Sequence, residues 1–174
     1  MNIVLIGFRG SGKSTVGRSL ASRMKRRFID TDDLIESKEG QISDIVKSHG
    51  WDYFRAMEKK MIEGISKEDN LVIALGGGAV LDSENIANVE RNGLIIWLKA
   101  DREVLRKRMN QDPRTFVSRP PLTGKGTIEE LEEIINFRNP FYEKAATIQL
   151  DTSTLNVEKV VENILAFMLH WEKR

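Results

Sequence analysis

The chain has 174 residues, with 27 basic against 26 acidic side chains and a formal net charge of +1. That length predicts one domain, 1–174, and the near-balanced charge gives no general reason to bind nucleic acid or an anionic membrane, so any anion site must be local. A hydrophobic share of 40% with 13 glycines and 4 prolines excludes disordered, collagen-like and repeat-built chains, and 0 cysteines exclude disulfides and thiolate chemistry.

Met1 to Ile6 is too short to be the apolar core of a secretory signal, and no apolar run approaches the roughly 20 residues that span a bilayer, so a cytoplasmic protein is expected. Ile3 to Ile6 reads as a buried strand. Directly after it, Gly7-Phe8-Arg9-Gly10-Ser11-Gly12-Lys13-Ser14-Thr15 fits glycine, four residues, glycine, lysine, then a hydroxyl residue. The loop lets backbone N–H groups converge on phosphate oxygens, and the helix predicted from Lys13 to Met24 adds its positive end. Lys13 would reach the outer phosphates, and the Ser14 hydroxyl is placed to ligate Mg²⁺. This motif predicts nucleotide binding and leaves the phosphoryl acceptor open.

A second strand, Phe28 to Ile29, leads into Asp30-Thr31-Asp32-Asp33 at the edge of the sheet where ligands of open α/β folds collect. On extended backbone, Asp30 and Asp32 face opposite sides, so one suits a metal and the other an acceptor hydroxyl, while Asp33 is the expected cap of the next helix. Arg55 and Glu58 lie three apart on a helical segment. Taken alone they read as a surface ion pair contributing roughly 0 to 1 kcal/mol; the functional alternative is an arginine fork held ready for a carboxylate. Gly40, Gly50, Gly64 and Gly93 mark expected ends of helical patterns.

A strand at Leu71 to Leu75 ends in Gly76-Gly77-Gly78, where three missing side chains predict close approach of backbone to a ligand. Leu94 to Leu98 reads as a fourth strand and Thr147 to Leu150 as a fifth. Gln111 to Thr127, with Arg119 among prolines and glycines, has no period and predicts a lid. Arg138 follows an acidic helical segment and reads as an exposed helix-end arginine. Val157, Val160, Val161, Ile164, Leu165, Met168 and Leu169 form the apolar stripe of a closing helix. Strands alternating with helices make the fold class α/β, with a mostly parallel sheet covered on both faces. No helix shows a second apolar stripe, so a monomer is expected. Trp51, Trp97 and Trp171 read as packing residues, and His49 and His170 lack metal-ligand spacing.

Taken together, GFRGSGKST, DTD at Asp30 to Asp32, Arg55 with Glu58, the glycines at 76–78, Arg119-Pro120, and Arg138 followed by Pro140-Phe141-Tyr142 resemble shikimate kinase over nearly the whole chain. The resemblance implies a three-layer P-loop fold like that of nucleoside monophosphate kinases, with a five-stranded parallel sheet, a mobile lid at about 111–127 and a shikimate-binding helical region at about 31–64. It implies ATP as cosubstrate, Mg²⁺, and phosphorylation of the 3-hydroxyl of shikimate. Matched by motif, Gly10, Ser11, Gly12, Lys13, Ser14 and Thr15 bind phosphates, Ser14 and Asp30 serve the metal, and Asp32 binds the acceptor hydroxyls. Arg55 and Arg138 clamp the carboxylate, Gly77 and Gly78 offer backbone contacts, Glu58 orients Arg55, Arg119 meets the transferring phosphoryl, and Arg108 lies against adenine. Lys13, Asp32 and Arg119 are the implied catalytic residues. The flap departs from the family in reading Arg119-Pro120-Pro121-Leu122, where the pattern has two leucines after the proline. Gluconate kinases and nucleoside monophosphate kinases share the phosphate loop, and a non-catalytic nucleotide binder would keep it alone; Asp32, Arg55 and Arg138 favour a carboxylate-bearing polyol.

Overall fold

The computed structural model describes residues 1–112 and 131–171. Among them, five parallel strands form one sheet: β1 (Asn2–Ile6), β2 (Arg27–Asp30), β3 (Leu71–Ala74), β4 (Gly93–Lys99) and β5 (Ile148–Asp151), in the spatial order β2-β3-β1-β4-β5. The helices are α1 (Lys13–Met24), α2 (Thr31–Glu39), α3 (Ile42–Ser66), α4 (Ser83–Glu90), α5 (Arg102–Gln111), α6 (Leu131–Ala145) and α7 (Val157–Trp171).

β1 holds the centre, with Ile3 opposite Val72 of β3 and Leu94 of β4. All of β1 is buried, so it needs apolar cover on both faces, and the period of two divides its side chains between them. Ile3 and Leu5 pack with Val16 and Leu20 of α1 and with Val161 and Ile164 of α7. Val4 and Ile6 join Ile62 of α3, Val89 of α4 and Tyr142 of α6. Asn2, ahead of the predicted strand, is also buried; its amide donates to the Glu68 carbonyl at 2.8 Å and accepts from Leu71 N–H at 2.9 Å, stitching β1 to the start of β3.

The five strands fall where the β-branched runs predict them. Two helical expectations differ. Gly64 sits inside α3, carried past by buried Ile62 and Ile65 on either side, because packing of an apolar stripe outweighs a glycine's cost of about 1 kcal/mol. Gly50 does mark a helix end as expected: its non-helical φ 86° and ψ 170° divide α3 into two helices joined at a kink. Leu169, expected on the buried stripe of α7, is 63% exposed. Among the described residues no helix is long and apolar enough to cross a membrane. With all strands parallel, the loops after β1, β2, β3 and β5 meet at one edge of the sheet.

Candidate active site

The chain leaves β1 through Gly7, whose φ is +145° and whose missing Cβ would lie 2.3 Å from the Leu98 carbonyl oxygen, so no side chain fits there. The loop ends at Gly12, the N-cap of α1, and no acidic residue occupies the first turn of that helix. With no side-chain cap and no acid beside it, the positive end of the helix dipole suits an anion. Lys13 folds back over the loop, Nζ donating to the carbonyls of Gly7 at 2.9 Å and Phe8 at 3.1 Å. Ser11 is fully buried, and its Oγ has no hydrogen-bond partner among the described residues. Thr15 is exposed on the wall of the same cleft.

Arg108 closes the far side of the loop. Its Nη1 donates to Gly10 O at 3.2 Å and its Nη2 to Thr152 O at 2.7 Å, while the Thr152 hydroxyl donates to Ser11 O at 3.0 Å. Arg108 thus ties the phosphate loop to the chain after β5. Thr152, which the sequence motifs do not mark, is buried at the junction.

Ser14 Oγ donates to Asp30 Oδ2 at 2.5 Å, bringing two oxygen donors together at the end of β2. Asp30 also caps α2: its Oδ1 accepts from Asp32 N–H at 3.1 Å and Asp33 N–H at 3.5 Å. This corrects two expectations. Asp32 is not on extended backbone, because the strand ends at Asp30 and the helix begins at once; and the cap is Asp30, not Asp33, whose carboxylate pairs with Arg18 at 2.9 Å.

The surface reading of Arg55 and Glu58 is also overturned. Glu58 is fully buried and accepts from Arg55 Nη1 at 2.5 Å. Burial pushes its carboxyl up to about 7; the Arg55 charge opposes that shift and the Asp32 charge adds to it. Glu58 Oε1 has no hydrogen-bond partner among the described residues. The Arg55 guanidinium further lies 5.5 Å from the Trp51 ring and 5.1 Å from the Phe54 ring, so three side chains fix one fork. Trp51, expected as plain packing, has this second role.

Gly76 and Gly78 explain the glycine run sterically. A Cβ on Gly76 would lie 2.5 Å from Asp32 Oδ1 and 2.6 Å from Glu58 Oε1, and one on Gly78 would lie 2.1 Å from Arg55 Nη2. The backbone is therefore the floor on which these charged groups rest. Arg138 is buried, not an exposed helix end, because α6 continues through Pro140 to Ala145. Its guanidinium lies 5.7 Å from the Phe8 ring and close to Gly77, where a Cβ would be 3.5 Å from Nη1. Burial lowers its pKa from the usual arginine value.

One cleft of about 470 Å³ joins both halves. The phosphate-loop residues 10–15, Asp30 and Arg108 line one end; Asp32, Arg55, Glu58, the glycines at 76–78 and Arg138 line the other. Of the expected lid, Gln111 ends α5 and Asp112 caps it; residues 113–127, including Arg119, lie outside the described residues.

The sequence model of the family described as "Shikimate kinase" matches residues 9–169. The shikimate kinase of Syntrophus aciditrophicus is 39% identical over 173 residues, covering 94% of this chain and 89% of that protein. The shikimate kinase of Symbiobacterium thermophilum is 40% identical over 166 residues, covering 95% of this chain and 94% of that one. Among solved structures, the Acinetobacter baumannii shikimate kinase in complex with shikimate is 30% identical, with TM-score 0.91 over 99% of this chain and 95% of that chain. The Aquifex aeolicus shikimate kinase is also 30% identical, with TM-score 0.79 over 98% of this chain and 97% of that chain. A phosphate loop facing two arginine forks, together with matches this long, places the chain in the shikimate kinase family.

Proposed function

We propose that the chain transfers the γ-phosphoryl group of ATP to the 3-hydroxyl of shikimate. The carrying observation is that the Arg55 and Arg138 guanidiniums converge on the Gly76 to Gly78 floor beside Asp32, in the cleft that the phosphate loop also lines. Shikimate is a small ring bearing one carboxylate and several hydroxyls. The two forks suit the carboxylate, with Gly77 and Gly78 beside it, and Asp32 suits the hydroxyls as acceptor of their hydrogen bonds.

Phosphoryl transfer needs alignment and charge neutralisation more than covalent help. The hydroxyl oxygen forms a bond to the γ-phosphorus as the bridging bond to ADP breaks, and the hydroxyl proton passes toward Asp32. Lys13, now on the carbonyls of Gly7 and Phe8, exchanges them for phosphate oxygens when nucleotide enters, and stabilises charge on the group in flight. Glu58 holds Arg55 in place without touching the acceptor, and Arg108 stands where the nucleotide's base end would pass.

The donors at Ser14 and Asp30 fit Mg²⁺: two hard oxygens 2.5 Å apart at the phosphate end suit an ion that keeps most of its waters and takes phosphate oxygens. Ser14 would ligate it and Asp30 would support it through water. Bound there, the ion would neutralise phosphate charge. A cytoplasmic, monomeric enzyme of one domain belongs to the same proposal.

A coupled assay of ADP release tests the reading with shikimate, gluconate and nucleoside monophosphates side by side. Turnover with shikimate alone is expected. Turnover with gluconate or a nucleotide, and none with shikimate, would leave only the ATP pocket standing.

A further inference from the structure

We infer that Tyr142 is a positioning residue that sets, with one hydroxyl, both groups offered to the acceptor's carboxylate: the Arg138 guanidinium and the Gly77–Gly78 peptide. The inference rests on the acceptor reading proposed above. It starts from a residue that the reaction does not otherwise employ.

The Tyr142 ring belongs to the core under the sheet, stacked on Trp97 at a centroid distance of 5.7 Å and an interplanar angle of 24°, and only 1% exposed. Its position along α6 is thereby fixed by packing. A buried phenol needs partners for its hydroxyl, which has one proton to donate and lone pairs to accept with. The O–H donates to Gly77 O at 2.5 Å. Arg138, one helical turn earlier on the same face, brings its fork to the same spot: a Cβ on Gly77 would lie 3.5 Å from Arg138 Nη1 and 3.7 Å from the Tyr142 hydroxyl oxygen, so the guanidinium sits beside that oxygen. Burial keeps the phenol protonated, pushing it up to about 12, so the donor to Gly77 persists at every working pH.

Two consequences follow from geometry. In a trans peptide the C=O and the next N–H point in opposite directions within one plane. No cis peptide is present among the described residues, so Tyr142, by holding Gly77 C=O toward the core, turns Gly78 N–H the other way. Gly78 is also where the Arg55 fork comes closest, its missing Cβ falling 2.1 Å from Nη2. Meanwhile Arg138 Nε is buried with no hydrogen-bond partner among the described residues, leaving the Tyr142 oxygen and the Phe8 face, 5.7 Å away, among the few groups that orient its fork. One oxygen therefore keeps the fork and the glycine floor in register.

Steady-state kinetics of Tyr142→Phe, Arg138→Ala and the double variant test this. Tyr142→Phe keeps the ring and its stacking. The expected result is a shikimate KM raised about tenfold, the upper size of one lost hydrogen bond, with the ATP KM within about twofold. In the Arg138→Ala background Tyr142→Phe is expected to add less, only the part that acts through the Gly77–Gly78 peptide, because the fork it orients is gone. A merely structural role would move both KM values together and multiply fully with Arg138→Ala. That outcome, or an unchanged shikimate KM in Tyr142→Phe, overturns the inference while Arg138→Ala still impairs shikimate. An Arg138→Ala variant with unchanged shikimate KM overturns the acceptor reading itself, and this inference with it. Should Tyr142→Phe not fold, p-aminophenylalanine in place of Tyr142 keeps a donor for Gly77 but sets a poorer acceptor beside the Arg138 guanidinium. A severalfold rise in shikimate KM alone is expected there, and wild-type values would overturn the inference.

Discussion

Ser14 Oγ donates to Asp30 Oδ2 at 2.5 Å, so the first turn of α1 is tied to the end of β2 by the same carboxylate that caps α2 through Oδ1. Asp30 has two duties on its two oxygens, and substitution can separate them. Asparagine caps a helix about as well as aspartate, but places a neutral amide beside Ser14. Asp30→Asn is expected to melt close to the wild type while its Mg²⁺ requirement rises about 10- to 100-fold, the usual effect of losing a partner behind a metal ligand. Asp30→Ala loses the cap as well, about 0.5 to 2 kcal/mol of stability. Mg²⁺ titrations of initial rate check this, and an unchanged requirement in Asp30→Asn would remove Asp30 from the metal's surroundings.

Lys13 is the one cation at the start of α1 that folds across the phosphate loop, bonded there to the Gly7 and Phe8 carbonyls. Its charge suits phosphate oxygens in transit, so Lys13→Ala is expected to lower kcat by about 10² to 10³-fold, comparable to losing a preorganised donor from a transition-state site. Shikimate binding, measured without nucleotide, is expected to stay near wild type. Near-normal turnover would exclude Lys13 from the reaction.

The buried carboxyl of Glu58 gives the fold a pH dependence of definite sign. Its pKa is raised from 4.5 to about 7, by burial first, against the pull of Arg55. A carboxyl that holds its proton more tightly when folded stabilises the fold fully below pH 4.5 and loses that contribution as pH rises to about 7. Urea unfolding of wild type and Glu58→Gln, followed across this window, is expected to show the wild type losing on the order of 3 kcal/mol relative to the variant. Parallel stability curves would mean that Glu58 titrates as an ordinary surface carboxyl.

Local pattern makes the contiguous features legible, whereas the convergent ones are reached from the sequence only through its resemblance to shikimate kinase. Each strand is a short β-branched run, and the phosphate loop is nine adjacent residues, so local pattern sufficed for both. Asp30 was harder, since one residue ends β2 and caps α2 with no turn between. The burial of Glu58 depends on Gly76 backing against it, and an i, i+3 pair of opposite charges carries no local sign of that. Arg138 was hidden by Pro140: a proline signals a helix end, yet α6 runs on because Ile135, Arg138 and Tyr142 form its buried face. Both cases turn on groups distant in sequence meeting at one strand end.

Gly78→Ala separates the role of the glycine floor from general stability. The backbone at Gly78 has φ −98° and ψ −7°, which alanine adopts, so the obstacle is contact alone. The added methyl would fall 2.1 Å from Arg55 Nη2 and 2.7 Å from Cζ. The guanidinium sits on a flexible stem and can swing aside, but it then leaves Glu58, whose other oxygen already has no hydrogen-bond partner among the described residues. The expected result is a modest loss of stability, about 1 to 3 kcal/mol from the orphaned carboxylate, with shikimate KM raised about tenfold or more and ATP KM unchanged. Gly64→Ala is the matched control: it lies inside α3 with nothing within 4 Å of its added Cβ, so it is expected to stabilise by about 0.5 to 1 kcal/mol and leave both KM values alone. If Gly78→Ala behaved like Gly64→Ala, the Arg55 fork would not be resting on the glycine backbone, and the geometric basis of the carboxylate clamp would be lost.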